Sequence, residues 1–144
     1  PEFMAAAGID LVEVDDLFRR ADYISLHAPL TDGTRNLVDA RRLGLVKRGA
    51  YLLNTARGGL VDEDALYDAL VDGRLAGAAL DAFTSEPPKD SRLVQLPNVL
   101  PTPHIGGWSR ESIVRVASIS AQNVVDVLEG QWNRSMVVNG VFPA

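Results

Sequence analysis

Short apolar runs alternate along this chain with segments in which apolar residues recur at helical spacing. The run from Ala50 to Asn54 carries no charge and no proline and follows Lys47-Arg48-Gly49. It therefore predicts a short buried strand of a parallel sheet. Similar runs predict further strands at residues 23–27, 77–81 and 98–102.

Helix-capping residues mark the segments between these strands. Strands that alternate with helices are typical of an α/β fold with a parallel sheet. Three short helices are predicted: residues 15–21, which begin with two aspartates as caps, residues 39–46, capped by Asp39, and residues 62–72, capped by Asp62 and stopped by Gly73. One helical turn is predicted at residues 93–96. A long helix is predicted from Ser109, its cap, to Leu128, and Gly130 stops it. Residues 9–14 alternate apolar with acidic positions and predict a half-exposed extended segment.

Composition excludes several classes of function. The 144 residues are enough for one domain; they are 47% hydrophobic and 23% charged, with a net charge of -5. Because acidic residues are scattered among arginines, neither nucleic acid nor a membrane is an expected partner. The chain has no cysteine, no signal-peptide pattern and no apolar run near 18 residues, so we expect no metal site and a soluble cytoplasmic protein.

Polar residues follow the ends of three successive predicted strands, and they are the candidates for chemistry. Arg57, Glu86 and His104 each come after a carboxyl end, where parallel sheets bind ligands. If the strands are neighbours, these side chains converge. A carboxylate beside a histidine stabilises the protonated imidazole, which can then donate a proton near neutral pH. A guanidinium can bind a carboxylate by two parallel hydrogen bonds, so Arg57 is the candidate for holding an anionic substrate.

Each of these residues also has a simpler interpretation. A strand-end arginine or glutamate is more often part of a surface salt bridge. His27, at another strand end, is either a hydrogen-bonded strand-end histidine or part of a pocket lining. Asp81 either caps the next turn or accepts a hydrogen bond from a ligand amide.

Four segments together resemble a known family, the D-isomer-specific 2-hydroxyacid dehydrogenases, which include phosphoglycerate dehydrogenase and glyoxylate/hydroxypyruvate reductase. In order they are NTARGGLVDE at 54–63, GAALD at 77–81, SEP at 85–87 and TPHIGG at 102–107. The match extends from about Leu11 to Asn139. The resemblance implies an oxidoreductase that exchanges a hydride between NAD(H) and a D-2-hydroxy or 2-oxo acid.

The resemblance also implies roles for individual residues. Arg57 would bind the substrate's carboxylate and carbonyl oxygen, His104 would be the acid/base, and Glu86 would orient and charge the imidazole. Asp81 would bind the carboxamide of the nicotinamide. The remaining cofactor contacts would come from Thr55, Ala56, Gly106, Arg57 and His104, with His27 and Pro29 on the adenine side.

The chain departs from this family in one main respect. No two glycines stand in a G-x-G arrangement, so the strand, turn and helix that hold a pyrophosphate are missing. We therefore expect residues 9–144 to be the carboxyl-terminal portion of an NAD-binding domain, a truncated Rossmann-type sheet of about four strands without the substrate domain. Residues 1–8 would be a cloning remnant, Pro1-Glu2-Phe3, and a tail. Such a piece is expected to bind NAD weakly or not at all and to be inactive alone.

Strand order gives a further expectation. If the strand at Tyr23 is the third of a 3-2-1-4-5-6 sheet and the one at Ala50 the fourth, two absent strands lie between them. Either the two present strands then pair directly, or the open edge recruits a second copy of the chain; the second alternative is slightly favoured, and a homo-oligomer is expected. The competing function is a non-catalytic oligomerising or corepressor-like module on the same sheet, for which Trp108 is the only sequence hint.

Overall fold

The structure is a computed structural model that describes Met4, residues 6–131 and Asn133. The expected cloning remnant Pro1-Glu2-Phe3 lies outside the described residues. The chain divides into two compact units, Pro1–Gly106 and Gly107–Ala144.

The first unit is built on a parallel sheet of four strands, which lie side by side in the order in which they occur along the chain. Each strand is paired in parallel with its neighbour in sequence, which confirms the predicted α/β fold. The strands are β1 Tyr23–Leu26, β2 Ala50–Asn54, β3 Leu75–Leu80 and β4 Val99–Pro101.

Helices precede β1 and connect the strands. The helix that begins at Glu63 has the predicted cap, since the carboxylate of Asp62 accepts the backbone N–H of Ala65 at 3.1 Å, and Gly73 follows the helix with φ +65°. The helices of this unit are α1 Val14–Arg20, α2 Ala40–Leu43 and α3 Glu63–Val71, with 3₁₀ turns at Gly58–Leu60 and Arg92–Gln95.

The core lies on one face of the sheet. In the row Ile24–Leu52–Ala78–Val99, all four side chains are buried and share the core with side chains of the three helices, such as Phe18. A sequential strand order with right-handed crossovers puts every connection on this same face.

The opposite face of the sheet is only partly covered within the first unit. Tyr23 and Tyr51 project from it and stack, with ring centroids 5.4 Å apart and planes inclined by 11°. Their side chains remain 71% and 42% exposed, respectively. The prediction that Ala50–Asn54 is buried is therefore right for one face of the strand and wrong for the other.

The pairing of β1 with β2 settles the two alternatives for the sheet. Residues Tyr23 to Leu26 pair with Tyr51 to Asn54 without interruption, so no strand is missing between them. The assignment of the Tyr23 strand as third and the Ala50 strand as fourth, with two strands absent between them, is wrong for this structure. The slight preference for recruitment of a second copy at that gap consequently loses its basis, although self-association remains a prediction.

Several predicted boundaries also need correction. Residues 9–13 have no regular structure, and α1 begins at Val14 after Glu13, whose side chain makes no capping bond. Asp15 lies in the first turn and binds the guanidinium groups of Arg41 and Arg42. Helix α2 is four residues long, not eight, although Asp39 caps it as predicted.

The second unit contains the long helix α4, Arg110–Leu128, which begins and ends as predicted. Ser109 accepts the backbone N–H of Ser112 at 3.1 Å while the hydroxyl of Ser112 accepts that of Ser109 at 3.0 Å, so the two form a capping box. Gly130 follows the helix with φ +75°.

Candidate functional site

The loops that follow β2, β3 and β4 carry the predicted catalytic side chains. Arg57 lies three residues beyond β2, Glu86 six beyond β3 and His104 three beyond β4. Because these strands are parallel neighbours, the loops meet at one edge of the sheet, and the three side chains border one cleft of about 320 Å³.

Glu86 and His104 are joined by a side-chain hydrogen bond. The Nδ1 atom of His104 lies 2.8 Å from Oε2 of Glu86, and the backbone N–H of Phe83 donates to Oε1 at 3.0 Å. The hydrogen bond from His104 and then that from Phe83 lower the pKa of Glu86, so the carboxylate is ionised near neutral pH. An ionised carboxylate accepts, hence Nδ1 donates its proton, which leaves Nε2 free for another partner.

The backbone at His104 is in the left-handed region, with φ +55°. A non-glycine residue there costs about 1–3 kcal/mol and has to be held by its surroundings. The restraint comes from Asp81, whose carboxylate accepts from the residues on both sides of the histidine. Its donors are Thr102 Oγ1 at 2.6 Å, Ile105 N–H at 2.8 Å and Gly106 N–H at 2.8 Å.

Asp81 is 6% exposed and is charged despite that burial. Burial would raise its pKa, but the hydrogen bonds from Thr102, Gly106 and Ile105 outweigh that effect and hold the pKa below its usual value. Gly106 fits closely, because a Cβ there would lie 2.8 Å from Oδ2 of Asp81. The cap of the next turn, one of the two sequence alternatives, is therefore not the contact that is seen, because all three donors lie in the loop after β4.

Arg57 is oriented by its own turn. Asn54, which is 1% exposed, donates from Nδ2 to the carbonyl of Arg57 at 2.9 Å and accepts the N–H of Ala56 at 3.1 Å. The guanidinium itself donates to the carbonyl of Ala56 at 2.7 Å and is otherwise exposed. A surface salt bridge, the simpler interpretation of a strand-end arginine, is not seen for Arg57 among the described residues.

The residues predicted for the cofactor fall into two groups. His27, Pro29, Thr55, Ala56 and Arg57 line a cleft of about 760 Å³ beyond the carboxyl ends of β1 and β2. In that cleft, Nε2 of His27 is 2.8 Å from the hydroxyl of Ser25, so the histidine is both hydrogen-bonded and part of a cleft wall. Asp81 and His104 line another cleft, also of about 320 Å³, which is separate from the one that Arg57 borders. Gly106 lies two residues after His104 in the chain.

Two polar residues of the site were missed from the sequence. Asn54 looked like the end of a strand, and Thr102 like the last residue of another. Their signal was available in hindsight: each is a polar residue that ends an apolar strand directly before a functional loop. Side chains in such places commonly hydrogen-bond the backbone of the turn that follows.

Neither a metal centre nor a membrane segment is found in the described part of the chain. Among residues 6–131, Met4 and Asn133, no group of three or more histidine, aspartate and glutamate side chains is placed to hold a metal ion. No helix in the same residues is both long and apolar enough to cross a membrane.

A parallel sheet with charged side chains beyond its carboxyl ends defines a Rossmann-type α/β domain. The profile of the NAD binding domain of the D-isomer specific 2-hydroxyacid dehydrogenases matches residues 1–106, and the chain belongs to that family. The family assignment made from the sequence motifs is thereby confirmed.

Curated relatives agree with this assignment. The chain is 42% identical over 137 residues to a D-3-phosphoglycerate dehydrogenase of Methanocaldococcus jannaschii, covering 94% of this chain and 26% of that protein. It is 44% identical over 111 residues to a hydroxypyruvate reductase of Thermotoga maritima, covering 75% of this chain and 36% of the relative. The chain thus spans about a quarter to a third of the length of these relatives.

Solved structures of the family share the fold. A D-lactate dehydrogenase of Aquifex aeolicus complexed with NAD and lactic acid superposes with a TM-score of 0.86 at 31% identity, covering 100% of this chain and 48% of that one. The NAD complexed D-isomer specific 2-hydroxyacid dehydrogenase of Lactobacillus delbrueckii ssp. bulgaricus gives 0.83 at 34% identity, covering 95% and 45%.

The chemistry of the donors and acceptors fits one end of a nicotinamide cofactor. Three chain donors occupy the carboxylate of Asp81, and a carboxylate has about four acceptor positions. One position therefore remains for a ligand amide. No glycine pair suited to a pyrophosphate turn occurs in the sequence, so these residues fit the ends of a dinucleotide and not its middle.

Proposed function

We propose that this chain carries the acid/base pair, the substrate-anchoring arginine and part of the cofactor site of an NAD-dependent 2-hydroxyacid dehydrogenase. The observation that carries the proposal is the 2.8 Å contact between His104 Nδ1 and Glu86 Oε2, at a cleft that Arg57 also borders. The family membership and the NAD-complexed structural relatives support the choice of cofactor.

The proposed chemistry assigns one task to each side chain. Bound nicotinamide supplies the hydride exchange. Arg57 holds the carboxylate of the 2-hydroxy or 2-oxo acid by paired hydrogen bonds, which fixes the reacting carbon. His104 exchanges a proton between Nε2 and the substrate oxygen, and Glu86 holds Nδ1–H so that Nε2 faces the substrate. The charged dyad stabilises the imidazolium, the form that donates the proton during reduction.

The test follows the His104 ring by NMR in the 144-residue chain, with NADH as cofactor and hydroxypyruvate as probe acid. The chain has only two histidines, so the ring signals are assigned with a His27→Gln variant. We expect hydroxypyruvate to shift the His104 signals when NADH is present. We expect Arg57→Lys to weaken that response about tenfold or more, because a lysine cannot form the paired contact.

Arg48→Lys is the matched control, since Arg48 is exposed and, within the part of the chain that the structure describes, its side chain donates only to the carbonyl of Gly73, at 3.4 Å. It should leave the response unchanged. Absence of any His104 shift at saturating ligand, or equal effects of the two arginine variants, would contradict the proposed site.

Cofactor affinity is expected to be low in this chain. Its residues reach only the ends of a dinucleotide, so turnover of the isolated 144 residues should not exceed background.

The competing proposal, a non-catalytic oligomerising module, is favoured by the exposed Tyr23 and Tyr51. Sedimentation and NADH fluorescence separate these expectations: we expect a dimer or larger species with weak NADH binding, and a monomer with a micromolar Kd would overturn both.

A further inference from the structure

Glu63, the first residue of helix α3, makes a contact that the helix does not require. Asp62 already caps α3 through the N–H of Ala65, so the carboxylate of Glu63 is not needed as the cap. Instead, Oε1 of Glu63 accepts the backbone N–H of Thr84 at 2.6 Å, 21 residues away, in the loop that leads to Glu86.

Two consecutive backbone N–H groups in that loop are each taken up by a different carboxylate. Phe83 donates to Oε1 of Glu86 at 3.0 Å, and Thr84 donates to Glu63. The other oxygen of Glu86 faces His104. The N–H of the Ala82–Phe83 peptide therefore sets the direction of the Glu86 carboxylate, and Glu63 holds the next peptide, Phe83–Thr84.

The backbone segment that precedes Glu63 is itself fixed by hydrogen bonds. Backbone hydrogen bonds of 2.9 Å join Asn36 N–H to Gly59 O, Val38 N–H to Leu60 O, and Asp62 N–H to Val38 O. The same pairing includes a parallel β-bridge between Val38 and Val61. Glu63 follows this hydrogen-bonded segment directly, so its backbone is held at the distance from Thr84 that the side chain spans.

Close packing keeps the two loops in one arrangement. A Cβ at Gly58 would lie 1.9 Å from the carbonyl carbon of Phe83 and 2.3 Å from the nitrogen of Thr84. Such distances are far inside van der Waals contact, so the turn after Arg57 touches the backbone before Glu86. A hydrogen bond at Thr84 and backbone contact at Gly58 thus act on the same peptide.

We propose that Glu63 is a positioning residue of the dehydrogenase site, which acts through the Thr84 amide to direct Glu86 toward His104. This inference rests on the proposed function of the Glu86–His104 dyad. No contact with substrate or cofactor is assigned to Glu63. Its role is the orientation of the side chain that charges the imidazole.

The experiment measures the pH midpoint of the His104 ring by NMR, and the hydrogen exchange of the Thr84 amide, in the 144-residue chain. The charged groups around the ring are Glu86, Asp81, Arg57 and Arg35, and none of the variants at position 63 changes them. In the parent chain, Glu86→Gln should move the midpoint to lower pH, because the negative charge beside Nδ1 is removed.

Variants of Glu63 separate the reach of the side chain from its charge. Glu63→Asp keeps the charge at the start of α3, but its side chain is one methylene too short to reach the Thr84 N–H. It should therefore speed the hydrogen exchange of the Thr84 amide by about fivefold. It should also reduce the shift in the His104 pH midpoint that Glu86→Gln causes by at least about half. Glu63→Gln retains the acceptor oxygen and should resemble the parent. Asp64→Asn is the matched control, because the exposed Asp64 pairs with Arg92 instead.

The outcomes are distinguishable. If Glu86→Gln leaves the His104 midpoint unmoved in the parent chain, the dyad and the proposed function fail, and the positioning role fails with them. If Glu86→Gln moves the midpoint equally with glutamate and aspartate at position 63, only the positioning role is overturned. If Glu63→Asp behaves like Asp64→Asn in both measurements, the Thr84 hydrogen bond has no role.

Discussion

Replacement of Asp81 by asparagine tests the network that holds His104 in its left-handed conformation. Asparagine keeps one acceptor oxygen, which can serve Thr102 Oγ1 and Ile105 N–H as Oδ1 now does at 2.6 and 2.8 Å. Its amide group would stand where Oδ2 accepts Gly106 N–H at 2.8 Å, so two donors would face each other.

The magnitude follows from these contacts. One charge-assisted hydrogen bond is lost, which costs about 1.5–3 kcal/mol, and the other two become neutral bonds of roughly half the strength. We expect Asp81→Asn to lower the free energy of unfolding by about 3–6 kcal/mol at pH 7, the sum of these losses. That is a large share of the roughly 5–15 kcal/mol that holds a domain folded.

Urea unfolding followed by far-ultraviolet circular dichroism measures this loss at several pH values. The pKa of Asp81 is lowered in the folded chain, so its ionised form stabilises the fold above the unfolded pKa near 4. That stabilisation is lost as pH falls through the folded pKa. The gap between parent and variant should be constant above about pH 5 and shrink below about pH 4.

Asp90→Asn is the control, because Asp90 is exposed and makes no side-chain hydrogen bond or ion pair among the described residues. It should leave stability within about 0.5 kcal/mol of the parent. The hydrogen-bond accounting would be refuted if Asp81→Asn were as stable as Asp90→Asn at pH 7, or if its deficit were independent of pH.

Two other substitutions have expected outcomes. Gly58→Ala should destabilise the chain by about 1–3 kcal/mol or more in thermal unfolding, since its Cβ would overlap the carbonyl of Phe83. Gly33→Ala is the control and should be neutral, because its Cβ meets nothing closer than 3.9 Å. Equal effects of the two substitutions would show that the loop moves freely. Asp15→Asn should lower the thermal midpoint at pH 7, because the hydrogen bond from Arg41 holds the pKa of Asp15 far below its usual value. This stabilisation is lost as pH falls through that low folded pKa and weakens in salt, so a deficit unchanged at high salt and low pH would contradict it.

Local patterns were sufficient to predict the fold class and most elements. Apolar runs gave β2 with its observed bounds, and capping residues gave α3 and α4. The pairing of β1 with β2 was not accessible in this way, because strand order depends on contacts between residues 23–26 and 51–54 that leave no local signal. The exposed face of β2 was missed for the same reason, since a run of apolar residues does not reveal whether both faces are covered.

The site shows the same division. Glu86 and His104 were paired correctly in advance because each follows a strand end, and neighbouring parallel strands bring their carboxyl ends together. The contact between Glu63 and Thr84 was not anticipated. A glutamate in the first turn of a helix is favourable by itself, so the sequence alone offers no reason to look for a second partner.

The stacked Tyr23 and Tyr51 give the first unit a spectroscopic signal of its own, because the tyrosines and the tryptophans lie in different units. All three tyrosines of the sequence precede residue 107, whereas both tryptophans, at positions 108 and 132, follow it. Excitation of tryptophan alone would report on the second unit, while the near-ultraviolet dichroism of the stacked pair would report on the first. The unfolding of each unit can therefore be followed in the unmodified protein without an added label.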